Sequence, residues 1–163
     1  WGAGTIVGTT SFGKGTVQET WDLTNGGSVK LSTNKWLTPK ETWIHERGVQ
    51  PDVEADQHPL YTIEFVPIRG KFEAGDFSEE IAYAQKVLHG FGFPIVRQDG
   101  YFDETTKKAV IAFREKYDIH EGEVLDELFF EKMQEQVVLY KDKEENDLQL
   151  QMGVSYIMHK LGH

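Results

Sequence analysis

The sequence predicts an α+β chain: a partial mixed β-sheet, then a small all-α three-helix module, then a C-terminal helix. Three observations predict it. The spacing of apolar residues changes from every second residue to helical spacing near residue 70. Turn-forming dipeptides punctuate the first stretch, whereas capping residues punctuate the second. The charge changes at the same place: residues 1–70 carry 6 basic and 8 acidic side chains, net −2, and residues 71–163 carry 11 and 19, net −8. Such a step marks two units with different surfaces. The expected division is 1–57, a linker or strand over 58–70, a helical unit over 71–137 and a last helix over 138–163.

Each element has a local reason. Thr5-Ile6-Val7 is a short β-branched run, and Val17 to Leu23 alternates apolar and polar residues as a half-buried strand does. Thr24-Asn25-Gly26-Gly27 is a turn whose Asn25 and Gly26 tolerate positive φ, so Ser28 to Leu37 is expected to return as the second arm of a hairpin. Gly48-Val49-Gln50-Pro51-Asp52 forms a further turn, because Pro51 removes a donor and restricts its predecessor. Between Pro59 and Pro67, Tyr61-Thr62-Ile63-Glu64-Phe65 alternates and is expected as one more strand. Beyond residue 70, Ile81, Ala84, Leu88 and Phe91 recur at helical spacing, as do Ala109, Val110, Phe113 and Tyr117, then Leu128, Phe129 and Met133. Leu150, Val154, Ile157 and Leu161 fall on one face of the last helix. Ser78, Asp103, Asp126 and Asn146 stand at the expected N-caps. The predicted helical core is Ile81, Leu88, Phe91, Ala109, Val110, Phe113, Leu128 and Met133, and Trp21, Trp36 and Trp43 are expected in the core of the first unit.

Composition excludes several functions. With 39% hydrophobic residues, a core can form without disulfides or metals, and cysteine is absent. A net charge of −10 argues against a nucleic-acid partner, because such binding neutralises phosphates with Lys and Arg. The histidines at 45, 58, 89, 120, 159 and 163 show no ligand spacing, so neither a metal nor a cofactor is expected. The opening Trp1-Gly2-Ala3-Gly4 lacks the basic start and apolar stretch of a secretory leader.

The chemistry concentrates in Thr9-Thr10-Ser11-Phe12-Gly13-Lys14-Gly15-Thr16-Val17-Gln18. A lysine between two glycines after a strand lets the backbone turn sharply and leaves the amine free. One reading is a solvated turn lysine. A second is a phosphate loop, since Gly8, Gly13 and Lys14 fit G-x-x-x-x-G-K; but such a loop opens a helix, and here alternation continues instead. A third is a local S-x-x-K pair of Ser11 and Lys14, which needs a helix that Gly13 and Gly15 disfavour.

The same stretch, as Ser11-Phe12-Gly13-Lys14-Gly15-Thr16-Val17-Gln18, resembles the lysine motif of the carboxyl-terminal processing (tail-specific) serine peptidases. The resemblance continues through Gly27-Ser28-Val29-Lys30-Leu31-Ser32, Trp36-Leu37-Thr38-Pro39 and Ile44-His45-Glu46-Arg47-Gly48-Val49-Gln50-Pro51-Asp52, with Glu41 departing from the usual glycine. It implies a Ser–Lys dyad in which Lys14 is the general base and Gln18 orients its amine. A neutral amide can fix an amine without stabilising its charge, as a carboxylate would. Residues 1–57 would then be the C-terminal part of the protease catalytic domain, with the nucleophile upstream of this chain. The resemblance also implies unstructured polypeptide substrates and an extracytoplasmic location, secreted or anchored through an N-terminal part. A truncated sheet edge and the last helix's apolar face predict a homodimer or strand-swapped oligomer.

The second unit has its own resemblance. Gly75-Asp76, Ala84-Gln85-Lys86-Val87-Leu88, Gly90-Phe91-Gly92, Asp99-Gly100-Tyr101-Phe102, Thr105-Thr106, Ala109-Val110 and Phe113 are similar to the peptidoglycan-binding-like three-helix module. Asp103 stands for the usual glycine and Arg114 for the usual glutamine. Two readings follow: a peptidoglycan-binding domain, and a spacer or assembly module without wall affinity.

Overall fold

The computed structural model describes residues 4–162, so Trp1-Gly2-Ala3 and His163, named above, lie outside the described residues. The α+β expectation is borne out. The chain divides into two compact units, one of residues up to Asp56 together with Ser155 onward, the other from Gln57 to Val154.

The first unit holds two strand pairs. Strands β1 (Val7–Gly8) and β4 (Val53–Glu54) pair in parallel, and β2 (Thr16–Asp22) and β3 (Ser28–Lys35) form the antiparallel hairpin. Its turn closes as the sequence predicts: Leu23 N–H donates to the Gly27 carbonyl at 2.7 Å, and Gly26 has φ +82°. The register slips between Val17 and Gln18, leaving Thr33 without a cross-strand partner, a bulge that increases local twist beside Gln18. The tryptophans correct the prediction: Trp21, Trp36 and Trp43 are 45%, 60% and 38% exposed, and Ala55 is the one buried apolar side chain of this unit among the described residues. A two-stranded hairpin open on both faces is at best marginally stable in water.

The second unit has the apolar core. Helices α1 (Pro59–Thr62), α2 (Glu79–Gly90), α3 (Glu104–Lys116) and α4 (Glu127–Lys141) pack around fully buried Leu60, Ile81, Leu88, Ala109, Val110, Phe113, Phe129 and Met133. Three predicted caps are in place: the side chains of Ser78, Asp103 and Asp126 accept from the N–H of Ile81, Thr106 and Phe129. Gly100, at φ +96°, brings the Asp99-Gly100 turn against the Ser78 carbonyl, where any Cβ would collide. Buried Gln85 ties these parts together. Its Oε1 accepts from Gly100 N–H at 2.9 Å, and its Nε2 donates to the Tyr101 carbonyl and Thr106 Oγ1, each at 2.8 Å.

Four details differ from the sequence reading. Residues expected as a strand at 61–65 begin inside α1, because Pro59 suits the first helical turn and the His58 side chain accepts from Leu60 N–H. Leu128 is 49% exposed, and Phe129 and Phe130 take the inward positions, one step round the helix. Helix α4 runs on to Lys141, past the expected boundary at 137. Helix α5 (Leu148–Leu161) is capped by Asp147, not Asn146: Asp147 Oδ1 accepts from Leu150 N–H at 2.9 Å and from Gln57 Nε2 at 2.7 Å. Those bonds hold the Asp147 carboxyl below the usual aspartate range. Asn146 instead donates to the Tyr140 carbonyl at 2.8 Å. Among the described residues no helix is long and apolar enough to cross a membrane.

Candidate active site

Lys14 lies two residues before β2, in a segment that is neither helix nor strand yet is tightly placed. The segment Ser11–Gly15 runs beside the loop 44–49. Ser11 N–H donates to the Val49 carbonyl at 3.0 Å, and Val49 N–H returns to Ser11 Oγ at 2.8 Å. Glu46 N–H donates to the Gly13 carbonyl at 2.9 Å, and Trp36 N–H to the Gly15 carbonyl at 2.9 Å. The glycines are required by this closeness. Gly13 has φ +79°, and a Cβ on it would sit 2.8 Å from Gly48 N. A Cβ on Gly15 would overlap the His45 backbone. Gly48, at φ +68°, abuts the Ser11 carbonyl in the same way. Two sequence motifs more than thirty residues apart are therefore one physical object.

The third motif element anchors the parallel pair. Asp52 accepts Ile6 N–H on its carboxylate at 2.8 Å, and its own N–H donates to the Ile6 carbonyl at 2.8 Å. Together these contacts hold both ends of the lysine loop, from Ile6 to Thr16.

The predicted site residues are both exposed. No hydrogen bond or ion pair to the Lys14 amine, and none joining Lys14 to Gln18, occurs among the described residues. Gln18 sits in β2 beside the bulge, with Ser32 opposite. The rival readings of the segment lose their structural context. The chain after Lys14 enters β2, so no helix N-terminus faces a phosphate. Ser11 and Lys14 are not on a helix, and Ser11 Oγ is engaged with Val49 N–H. Sequence reasoning missed the contacts of Trp43 and His45. Trp43 Nε1–H donates to the Gly15 carbonyl at 2.7 Å, and its ring lies 4.9 Å from that of His45. The one clue was position: His45 lies inside the motif that returns to the lysine loop, and Trp43 immediately precedes it.

Comparison with known proteins agrees with both resemblances. Residues 1–55 match the model of peptidase family S41, and residues 77–133 match that of a putative peptidoglycan binding domain. Carboxy-terminal processing protease CtpB of Bacillus subtilis (strain 168) is 37% identical over 149 residues, covering 91% of this chain and 31% of that protein. Carboxy-terminal processing protease CtpA of the same organism is 28% identical over 156 residues, covering 96% of this chain and 33% of that protein. A probable CtpA-like serine protease of Staphylococcus aureus (strain MRSA252) is 31% identical over 110 residues, covering 68% of this chain and 22% of that protein. The chain thus spans about a third or less of the length of these relatives.

Proposed function

With residues 1–55 carrying the sequence of peptidase family S41 and residues 77–133 that of a putative peptidoglycan binding domain, we propose that this chain is part of a serine endopeptidase that processes C-terminal regions of exported polypeptides. The observation that supports this best is the clamped lysine loop. Its backbone is fixed on both sides of Lys14, while the amine is left without a partner among the described residues. A general base needs that combination of fixed origin and free end.

In this reading the serine comes from outside these 163 residues. Ser11 Oγ accepts Val49 N–H and Ser78 Oγ accepts Ile81 N–H, so both hold turns; Ser28, Ser32 and Ser155 are exposed on regular elements. The neutral amine of Lys14 takes the serine hydroxyl proton as the serine oxygen bonds to the scissile carbonyl carbon. The same proton passes to the leaving nitrogen as the C–N bond breaks, giving an acyl-enzyme. Lys14 next deprotonates the water that attacks the ester, and the serine recovers its proton. Gln18 orients the amine through its amide oxygen. Burial lets a lysine act as a base near neutral pH, so the surface that covers Lys14 belongs to the serine-bearing part. The 163-residue chain alone is therefore expected to hydrolyse no peptide. A fluorophosphonate probe should leave its mass unchanged; an adduct on Ser11 would revive the local pair and overturn the reading.

The second unit is proposed to bind peptidoglycan, outside the cytoplasm. With −8 over residues 71–163, long-range attraction to anionic wall polymers is absent, so capture depends on short-range contacts. Residues 71–163 are expected to sediment with purified peptidoglycan at moderate salt. Complete recovery in the supernatant would leave the spacer reading in its place. The exposed apolar face of α5, with Leu150, Val154, Ile157 and Leu161 at 42%, 48%, 57% and 67%, supports a homodimer, and the open strand edges a swapped oligomer. Light scattering should give at least twice the 18.7 kDa chain mass; a monomer at high concentration would count against assembly.

A further inference from the structure

On the C-terminal side of Lys14 the clamp adds one side chain, Trp43, to the main-chain bonds. The Gly15 carbonyl receives two donors, Trp36 N–H at 2.9 Å and Trp43 Nε1–H at 2.7 Å, so both of its lone pairs are engaged. The Gly13 carbonyl is held by Glu46 N–H at 2.9 Å. Lys14 is thus the centre of a tripeptide whose two flanking carbonyls are pinned by residues 36–46. The indole is itself wedged in place. The His45 ring lies against it at 4.9 Å with an interplanar angle of 31°, and Lys35 Nζ sits 4.5 Å from its centroid. The His45 backbone also abuts Gly15, so the residue that stacks on the indole lies directly against the loop to which the indole bonds. At 38% exposure Trp43 is no core residue. A phenylalanine would stack as well on His45 and under Lys35, but it has no N–H to offer.

We infer that Trp43 is a positioning residue for Lys14: its indole N–H fixes the Gly15 carbonyl and with it the direction in which the lysine side chain leaves the backbone. This rests on Lys14 being the base. The indole bonds only to the loop, so its loss should act on the chemical step and not on substrate binding. A misplacement of about 1 Å can cost about 10²-fold in rate. One of the two bonds on the Gly15 carbonyl remains, so the expected loss is about tenfold in kcat, with KM within about twofold.

The test uses the intact protease with Trp43 replaced by its 3-benzothienyl isostere, which keeps the fused ring and lacks the N–H, and separately with Trp43→Phe. Both should lose about tenfold in kcat at nearly constant KM, and the isostere should keep the thermal midpoint of the parent. Lys14→Ala runs beside them. A dead Lys14→Ala enzyme with an isostere at the parent's kcat would overturn the role of Trp43 and leave the base standing. An active Lys14→Ala enzyme would overturn the base itself, and the positioning role with it. A readout independent of turnover is indole hydrogen exchange in the 163-residue chain. The Trp43 N–H should exchange more slowly than those of Trp21 and Trp36; equal rates would remove the bond on which the inference stands.

Discussion

Lys14→Ala is expected to abolish turnover in the intact protease and to leave its fold unchanged. Removing a general base typically costs about 10²–10⁴-fold. The structural cost should be small, because the Lys14 side chain is exposed and no bond to its amine is found among the described residues. What shapes the loop is the backbone of Gly13 and Gly15 and the residues that clamp it. Gln18→Ala should cost less than Lys14→Ala, since an orienting amide moves no proton. Steady-state kinetics on a peptide substrate, with a thermal melt on each variant, separate the two effects. Parent rates in Lys14→Ala would end the dyad reading.

Arg114→Ala is expected to destabilise the helical unit by about 2–4 kcal/mol. Arg114 is 3% exposed and sits at the end of α3, where it ties down the turn leading into α4. Its guanidinium donates to the carbonyls of His120 and Val124 at 3.0 and 2.9 Å and to Asp126 Oδ1 at 2.6 Å. Asp126 also caps α4 through Phe129 N–H, so one side chain fixes both the loop and the next helix. Deleting one partner of a buried pair costs about 3–5 kcal/mol. The Asp126 side chain is 35% exposed and can turn to water, which lowers the figure. Arg114→Gln retains an amide donor and should lose less. Denaturant titration of residues 57–154 measures both; an unchanged midpoint in Arg114→Ala would show that the turn holds itself.

The helical half was legible because its local signals agree with its packing. Ser78, Asp103 and Asp126 sit ahead of apolar runs of helical period, and a short polar side chain there has few better partners than the free N–H groups. Errors came where a signal was short or degenerate. Five alternating residues at 61–65 cannot outweigh Pro59 at the first turn of a helix. Leu128, Phe129 and Phe130 are three adjacent apolar residues, and period alone does not say which two face inward. Asn146 and Asp147 are adjacent capping types, and the choice was made by Gln57, ninety residues away, which only the fold brings near. In the first half the motifs were legible but their purpose was not. Spacing shows that Gly48 recurs after Lys14; it does not show that Gly48 abuts the Ser11 carbonyl. The exposed tryptophans misled because aromatic residues on strands usually mark a core, and the described residues place no second layer over this hairpin.

The proposed activation by Lys14 of a serine outside these 163 residues is tested most directly by active-site labelling. Intact protease is treated with a fluorophosphonate and the modified peptide is mapped by mass spectrometry, for the parent and for Lys14→Ala. A single adduct on a serine outside residues 1–163, lost in Lys14→Ala, is the predicted result. An adduct on Ser11 or another serine of this chain, or equal labelling with and without Lys14, would contradict it.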